Sequence, residues 1–280
     1  MPEKTSFTSA DGTVITAEVV GDGPGLVILP GTLQSARSMR RLAEHLSDSH
    51  TVFVVDRRGR GDSGPQGDDY SFAREAEDVI ALLKREGAAA LFGHSSGGLV
   101  ALETALRHPV RKLAVYEPPV SVDDPTGDPW YPDFERALAA GRNALALSIM
   151  LKGLEGLGSV SRLPLPFVRF MVSALTWTEE GREMVALVPT FPAEYREVER
   201  LAYSPVRYRG IDADTLVLTG SKGAQEYRAG AEFLASVIPR SRFRELRGLG
   251  HDGPDQQAPE EVAEVLRKFI AGAPDAETRG

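Results

Sequence analysis

The sequence predicts an α/β fold, a mostly parallel sheet with helices on both faces and a helical insertion. Three observations predict it. Residues 14–116 alternate short apolar runs with amphipathic helical segments. Residues 119–208 then contain no run of strand character. Strand and helix signals resume after residue 209. Such alternation is satisfied when each helix crosses back over a parallel sheet and buries its faces. The core is therefore expected in residues 1–118 and 209–280, with residues 119–208 as a helical cap.

Taken in order, residues 14–20 and 26–29 read as strands, the second a short buried run. Residues 37–46 place Met39, Leu42, Ala43 and Leu46 at helical spacing. Residues 51–55 form a strand that ends at Asp56 and a Gly/Arg-rich loop. A helix over 72–85 carries Ala76, Val79, Ile80 and Leu83 on one face, and 88–92 is a short strand. A helix over 98–107 is stopped by Pro109, and 112–116 is again a strand. The insertion opens with Pro118-Pro119 and Asp123-Asp124-Pro125 and continues as helical segments at 134–151, 167–175, 178–188 and 193–201. Gly153, Gly156 and Gly158 mark a tightly turning part of it. Strands at 215–218 and 241–246 and helices at 227–237 and 259–271 complete the core, and 272–280 reads as a polar tail.

The chain has 280 residues and a net charge of −8. That length suits one core with one insertion, and the acidic balance argues against nucleic acid or an anionic membrane as partner, because phosphates are repelled. With no cysteine, disulfides, thiolate metal sites and a Cys nucleophile are excluded. Residues 1–6 lack the apolar stretch of a signal peptide. The run 163–177 is interrupted by Pro164, Pro166 and Arg169 and is shorter than the ~20 residues of a spanning helix. A cytoplasmic protein is expected, monomeric or homodimeric, that binds a small molecule and needs no cofactor or metal.

Gly93-His94-Ser95-Ser96-Gly97 fits G-x-S-x-G and lies between a strand and a helix. A tight turn there holds the serine in a strained conformation with its hydroxyl projecting, while the helix start supplies free N–H groups and a positive dipole end.

The chain resembles the α/β-hydrolase superfamily at several such points. Leu26-Val27-Ile28-Leu29-Pro30-Gly31-Thr32 resembles its oxyanion-loop strand. Asp56-Arg57-Arg58-Gly59-Arg60-Gly61-Asp62-Ser63-Gly64 resembles the loop after the next strand, and Leu249-Gly250-His251 resembles its late histidine loop. The resemblance implies Ser95 as nucleophile and His251 as base, since a serine hydroxyl needs an imidazole to take its proton. His45, His50, His94 and His108 fit that role less well. The family's usual acid follows the strand 215–218 in a G-x-x-D pattern, but here Gly220-Ser221-Lys222-Gly223 ends in glycine. A second site in the fold follows the preceding core strand, where Glu117 stands, and the order Ser95, Glu117, His251 keeps the nucleophile–acid–base order. Asp123, Asp124, Glu226 and Asp252 are lesser candidates.

The oxyanion donors are expected to be the backbone N–H groups of Ser96 and Thr32. Pro30 replaces the histidine usual in that loop. Arg57, Arg58 and Arg60 are read as loop structure and surface ion pairing. Of the insertion's apolar residues Leu145, Leu147, Ile149, Met150, Leu151, Phe167, Phe170, Met171, Leu175 and Trp177, most are expected to pack the cap and some to line an apolar acyl or alcohol pocket, with Phe170, Trp177 and Trp130 singled out and Tyr131 beside them. The expected activity is hydrolysis of an ester, thioester or lactone through an acyl-enzyme. Acyl transfer, C–C bond chemistry or elimination is the alternative, and a ligand receptor on the same scaffold the third reading. Halide release is disfavoured, because the relatives that perform it carry an aspartate where Ser95 stands.

Overall fold

The computed structural model describes residues 2–122, 128–154, 160 and 163–272. The expected turning glycines Gly156 and Gly158, the acid candidates Asp123 and Asp124, and the tail from 273 onward lie outside the described residues.

Eight strands form one sheet: β1 (Glu3–Thr8), β2 (Val14–Val20), β3 (Gly25–Leu29), β4 (Thr51–Asp56), β5 (Ala90–His94), β6 (Lys112–Tyr116), β7 (Asp214–Gly220) and β8 (Ser241–Leu246). Their spatial order is β1-β2-β4-β3-β5-β6-β7-β8. The β1–β2 and β2–β4 pairs are antiparallel, and every later pair is parallel. The fold is α/β, as expected. β1 was not foreseen, because only Phe7 in its polar run Glu3–Thr8 is buried.

The central strands bury both faces, so their apolar residues run continuously and divide by parity. In β3, Val27 and Leu29 join one core cluster while Leu26 and Ile28 join the other. The first cluster is covered by α2 (Phe72–Glu86), α3 (Ser96–Arg107) and α9 (Gln225–Val237) through Val79, Leu102 and Leu234. The second is covered by α1 (Arg40–Leu46) and α10 (Pro259–Ile270) through Leu42, Val262 and Leu266. Each such side chain, removed from water, contributes roughly 1.5–3 kcal/mol.

Between β6 and β7 lie α4 (Tyr131–Ala139), α5 (Asn143–Gly153), α6 (Leu165–Leu175), α7 (Glu179–Leu187) and α8 (Phe191–Ala202), with no strand among the described residues. They bury their own apolar cluster, including Phe134, Leu147, Val168 and Phe191, into which Leu33 of the core also packs. The segment 134–151, read as one helix, is two: Gly141 adopts φ 67 and turns the chain between α4 and α5. No helix of the described residues is long and apolar enough to cross a membrane.

The chain runs from β3 outward to β4 and then returns to lay β5 on the other side of β3. That reversal opens a crevice at the carboxyl ends of β3 and β5, where sheet ligands gather in such folds. The loops after β3, β5, β6, β7 and β8 all emerge at this edge.

Candidate active site

Ser95 follows β5 directly and caps the start of α3 with φ 53 and ψ −127. Its N–H donates to the Tyr116 carbonyl at 2.9 Å, tying the turn to the neighbouring strand. Gly97 permits the turn, since a Cβ there would lie 2.4 Å from the Leu29 carbonyl oxygen. Among the described residues, only Leu33, Ser95 and Glu117 are non-glycines with positive φ. All three stand at this sheet edge, and holding them there costs about 1–3 kcal/mol each.

The three side chains expected to act together form one hydrogen-bonded chain. His251 Nε2 is 3.0 Å from Ser95 Oγ, and His251 Nδ1 is 2.7 Å from Glu117 Oε2. Glu117 is fully buried. Its Oε1 accepts from the Gly220 N–H at 2.8 Å and from Thr219 Oγ1 at 2.9 Å. These donors fix the carboxylate so that its second oxygen faces the imidazole. Gly223, the glycine in the usual acid position, leaves room for it: a Cβ there would sit 2.5 Å from Glu117 Oε1. Of the lesser candidates, Glu226 is exposed on α9, and Asp252 accepts from Gln257 Nε2 at 2.6 Å rather than from the His251 ring.

Two side chains that the sequence did not point to hold the histidine loop. The Tyr227 ring stacks on His251 with centroids 4.6 Å apart. His94 Nε2 lies 2.8 Å from the His251 carbonyl oxygen. Burial, aided by the charge of His251, pushes the His94 pKa down to about 3. His94 is therefore neutral, and its Nε2–H donates to that carbonyl.

Thr32 and Ser96 face each other across the crevice, with Thr32 Oγ1 3.1 Å from Ser96 Oγ. The Ser96 N–H lies in the first turn of α3, where no intrahelical acceptor exists, beside the positive end of the helix.

Arg57, Arg58 and Arg60 are not on the surface, as the sequence reading had them, but almost completely buried. Burial of a guanidinium is tolerated only with paired carboxylates, and distant segments supply these. Arg58 takes both oxygens of Asp78 at 2.7 and 2.8 Å, and Arg57 Nε pairs with Glu75 Oε2 at 2.5 Å. Glu194 on α8 receives Arg57 at 2.9 Å and Arg60 at 2.6 Å. Burial raises the Glu194 pKa, but the charges of Arg57 and Arg60 outweigh it and hold the carboxyl well below the usual range.

A cavity of about 290 Å³ opens above Ser95 and His251. Leu33, Met150, Leu151 and Phe191 supply apolar lining. Asp128, Glu199, Asp252 and Asp255 line it too, with no Lys or Arg among the described residues. Four residues expected in the pocket do not line it, and of these Tyr131 stacks on Tyr195 with centroids 4.4 Å apart. Phe170 and Trp177 are 68% and 83% exposed on the outer side of the insertion. Trp130 lies one layer back, its Nε1 donating to Asp128 Oδ1 at 2.9 Å and its ring packing against Tyr195, and it lines a separate outer cavity. Helical periodicity marks an apolar face but not which neighbour covers it.

The family model described as the alpha/beta hydrolase family matches residues 26–265. An alpha/beta hydrolase from Sphaerobacter thermophilus DSM 20745 superposes with a TM-score of 0.81 at 33% identity, covering 95% of this chain and 100% of that one. A pimeloyl-[acyl-carrier protein] methyl ester esterase from Aeromonas hydrophila is 37% identical over 35% of this chain and 38% of its own. A fluoroacetate dehalogenase from a Burkholderia species is 36% identical over 37% of each chain. The chain thus spans about two fifths of the length of the curated relatives it matches. With the family model covering most of its length, the chain belongs to the alpha/beta hydrolase family.

Proposed function

We propose that the chain is a cofactor-free serine hydrolase that cleaves an ester, thioester or lactone of a small, partly apolar substrate through an acyl-enzyme, with residues 119–208 as the cap over the site. The observation that carries this is the continuous hydrogen-bonded chain Glu117–His251–Ser95 at the floor of the cavity. In this reading Ser95 Oγ attacks the carbonyl carbon while His251 Nε2 takes its proton. Glu117 keeps the second ring proton on Nδ1 and stabilises the imidazolium. The N–H groups of Thr32 and Ser96 receive the oxyanion. His251 then returns the proton to the leaving group, and water, activated by the same imidazole, releases the acid.

The ester hydrolase among the relatives supports the ester reading, and the serine at position 95 supports acyl chemistry over halide release. The acidic lining, in which Asp128, Glu199 and Asp252 accompany the partly protonated Asp255, favours substrates that carry no carboxylate of their own, because like charges in a partly desolvated cavity repel strongly. A fluorophosphonate probe is expected to label the chain, with labelling and turnover of p-nitrophenyl acetate both abolished in Ser95→Ala. An unlabelled and inactive wild type would overturn the reading.

A further inference from the structure

Glu194 has no part in the proton relay, yet it is fully buried in contact with both proposed oxyanion segments. Its Oε1 accepts from Ser96 Oγ at 2.5 Å and from Thr32 Oγ1 at 3.1 Å. The two guanidiniums that neutralise it also grip the backbone before Thr32: Arg57 Nη1 donates to the Pro30 carbonyl at 3.2 Å and Arg60 Nη1 to the Gly31 carbonyl at 2.5 Å. The Gly31 C=O and the Thr32 N–H belong to one planar trans peptide and point in opposite directions. Holding that carbonyl on Arg60 therefore sets the direction of the Thr32 N–H. Arg57 Nη1 also donates to Ser96 Oγ at 2.9 Å, so the second donor's residue is tied to the same carboxylate by two routes.

Glu194 is carried by α8, in the insertion, while everything it holds belongs to the core. We propose that Glu194 is a positioning residue that aligns the two oxyanion donors, so that the hole is complete only when α8 is seated on the core. This rests on the serine-hydrolase reading above. It differs from a purely structural ion pair in what it predicts: loss of alignment slows the chemical step at each intact site, whereas loss of a structural pair reduces the number of intact sites.

The test compares wild type, Glu194→Gln, Ser96→Ala and Thr32→Val with p-nitrophenyl acetate. Rates are divided by the sites titrated with a fluorophosphonate, and affinity for phenylboronic acid, which forms a tetrahedral adduct on serine, is measured in parallel. Glu194→Gln is expected to lower kcat per titrated site by roughly tenfold to a hundredfold, as for a donor misplaced rather than lost, with KM within about twofold. Boronate affinity is expected to fall in parallel. Ser96→Ala and Thr32→Val keep both arginine–Glu194 pairs and remove only the hydroxyl contacts of one donor residue each, so they test the proposal even if Glu194→Gln does not fold. Each is expected to lose about threefold to tenfold in kcat per site, and Ser96→Ala to add little to Glu194→Gln. Unchanged kcat per site and boronate affinity in the folded variants would overturn the positioning role and leave the hydrolase reading standing. A wild type that neither labels nor turns over would overturn both.

Discussion

The strand-edge half of the site and the helical half each contribute one fully buried glutamate, and the two are held in opposite ways. Glu117 is surrounded by neutral donors, the Thr219 hydroxyl and the Gly220 N–H, plus the imidazole. Glu194 is surrounded by two guanidiniums. A carboxylate held by neutral donors keeps its charge for the imidazolium that forms during reaction. A carboxylate already matched by cations has little field left to offer and acts by position. In the proposed mechanism the core half thus supplies charge and the helical half placement.

The largest test of that contrast is Glu117→Gln. The glutamine oxygen is claimed by Gly220 and Thr219, so its NH2 must face His251 Nδ1, donor against donor. The ring is forced into the tautomer that cannot accept from Ser95, and kcat is expected to fall about 10³–10⁴-fold with the fold intact, measured as steady-state turnover beside circular dichroism. A loss smaller than about tenfold would remove the strand edge from the centre of the reaction.

Substrate charge probes the boundary between the halves, where Asp128 and Glu199 come from the helical side and Asp252 and Asp255 from the core. Methyl butyrate is expected to exceed monomethyl succinate in kcat/KM by at least roughly tenfold, a gap that narrows with added salt. Equal rates would show that the acidic lining does not face the acyl group.

Asp255 gives a smaller effect, read in stability. It is 7% exposed, and Gln34 Nε2 donates to its Oδ2 at 2.7 Å while Oδ1 has no hydrogen-bond partner among the described residues. Burial, with the nearby charge of Asp252, pushes its pKa from 3.8 up to about 7. A carboxyl raised on folding contributes stability that is whole below its unfolded pKa and is lost as pH climbs through the folded one. Asp255→Asn is therefore expected to raise Tm relative to wild type by an increment that grows between about pH 4 and pH 7, followed by thermal denaturation. An increment independent of pH would contradict it. The smallest effect belongs to the outer helical surface, where Trp177→Ser is expected to change stability by less than about 0.5 kcal/mol and leave kcat/KM unaltered.

The same contrast explains what could be read from the amino acids alone. Ser95 and Glu117 each sit one residue beyond a strand whose apolar run is plain in the sequence, and local turn geometry sets their direction, while His251 follows the end of β8 by five residues in the Leu249-Gly250-His251 loop. Glu194 offered no such sign. Its partners Arg60, Arg57 and Thr32 lie 134, 137 and 162 positions away, and one acidic residue on an amphipathic helix looks like any solvated one. The arginines misled for the same reason, since their burial depends on carboxylates in other elements. β1 was hidden by its polarity, and the outward faces of Phe170 and Trp177 by an apolar periodicity that does not name its neighbour.

Gly223 carries a consequence for how such a site can change over evolutionary time. The 2.5 Å between its notional Cβ and Glu117 Oε1 makes the two acid positions rivals for one volume. Aspartate at 223 with Glu117 retained would bring two carboxylates into collision, and loss of Glu117 with Gly223 retained would leave His251 without the acid that the proposed mechanism assigns to it. Either single step passes through an impaired protein. The location of the acid is then a paired trait, and lineages are expected to keep one arrangement or the other, with the two residues inherited together.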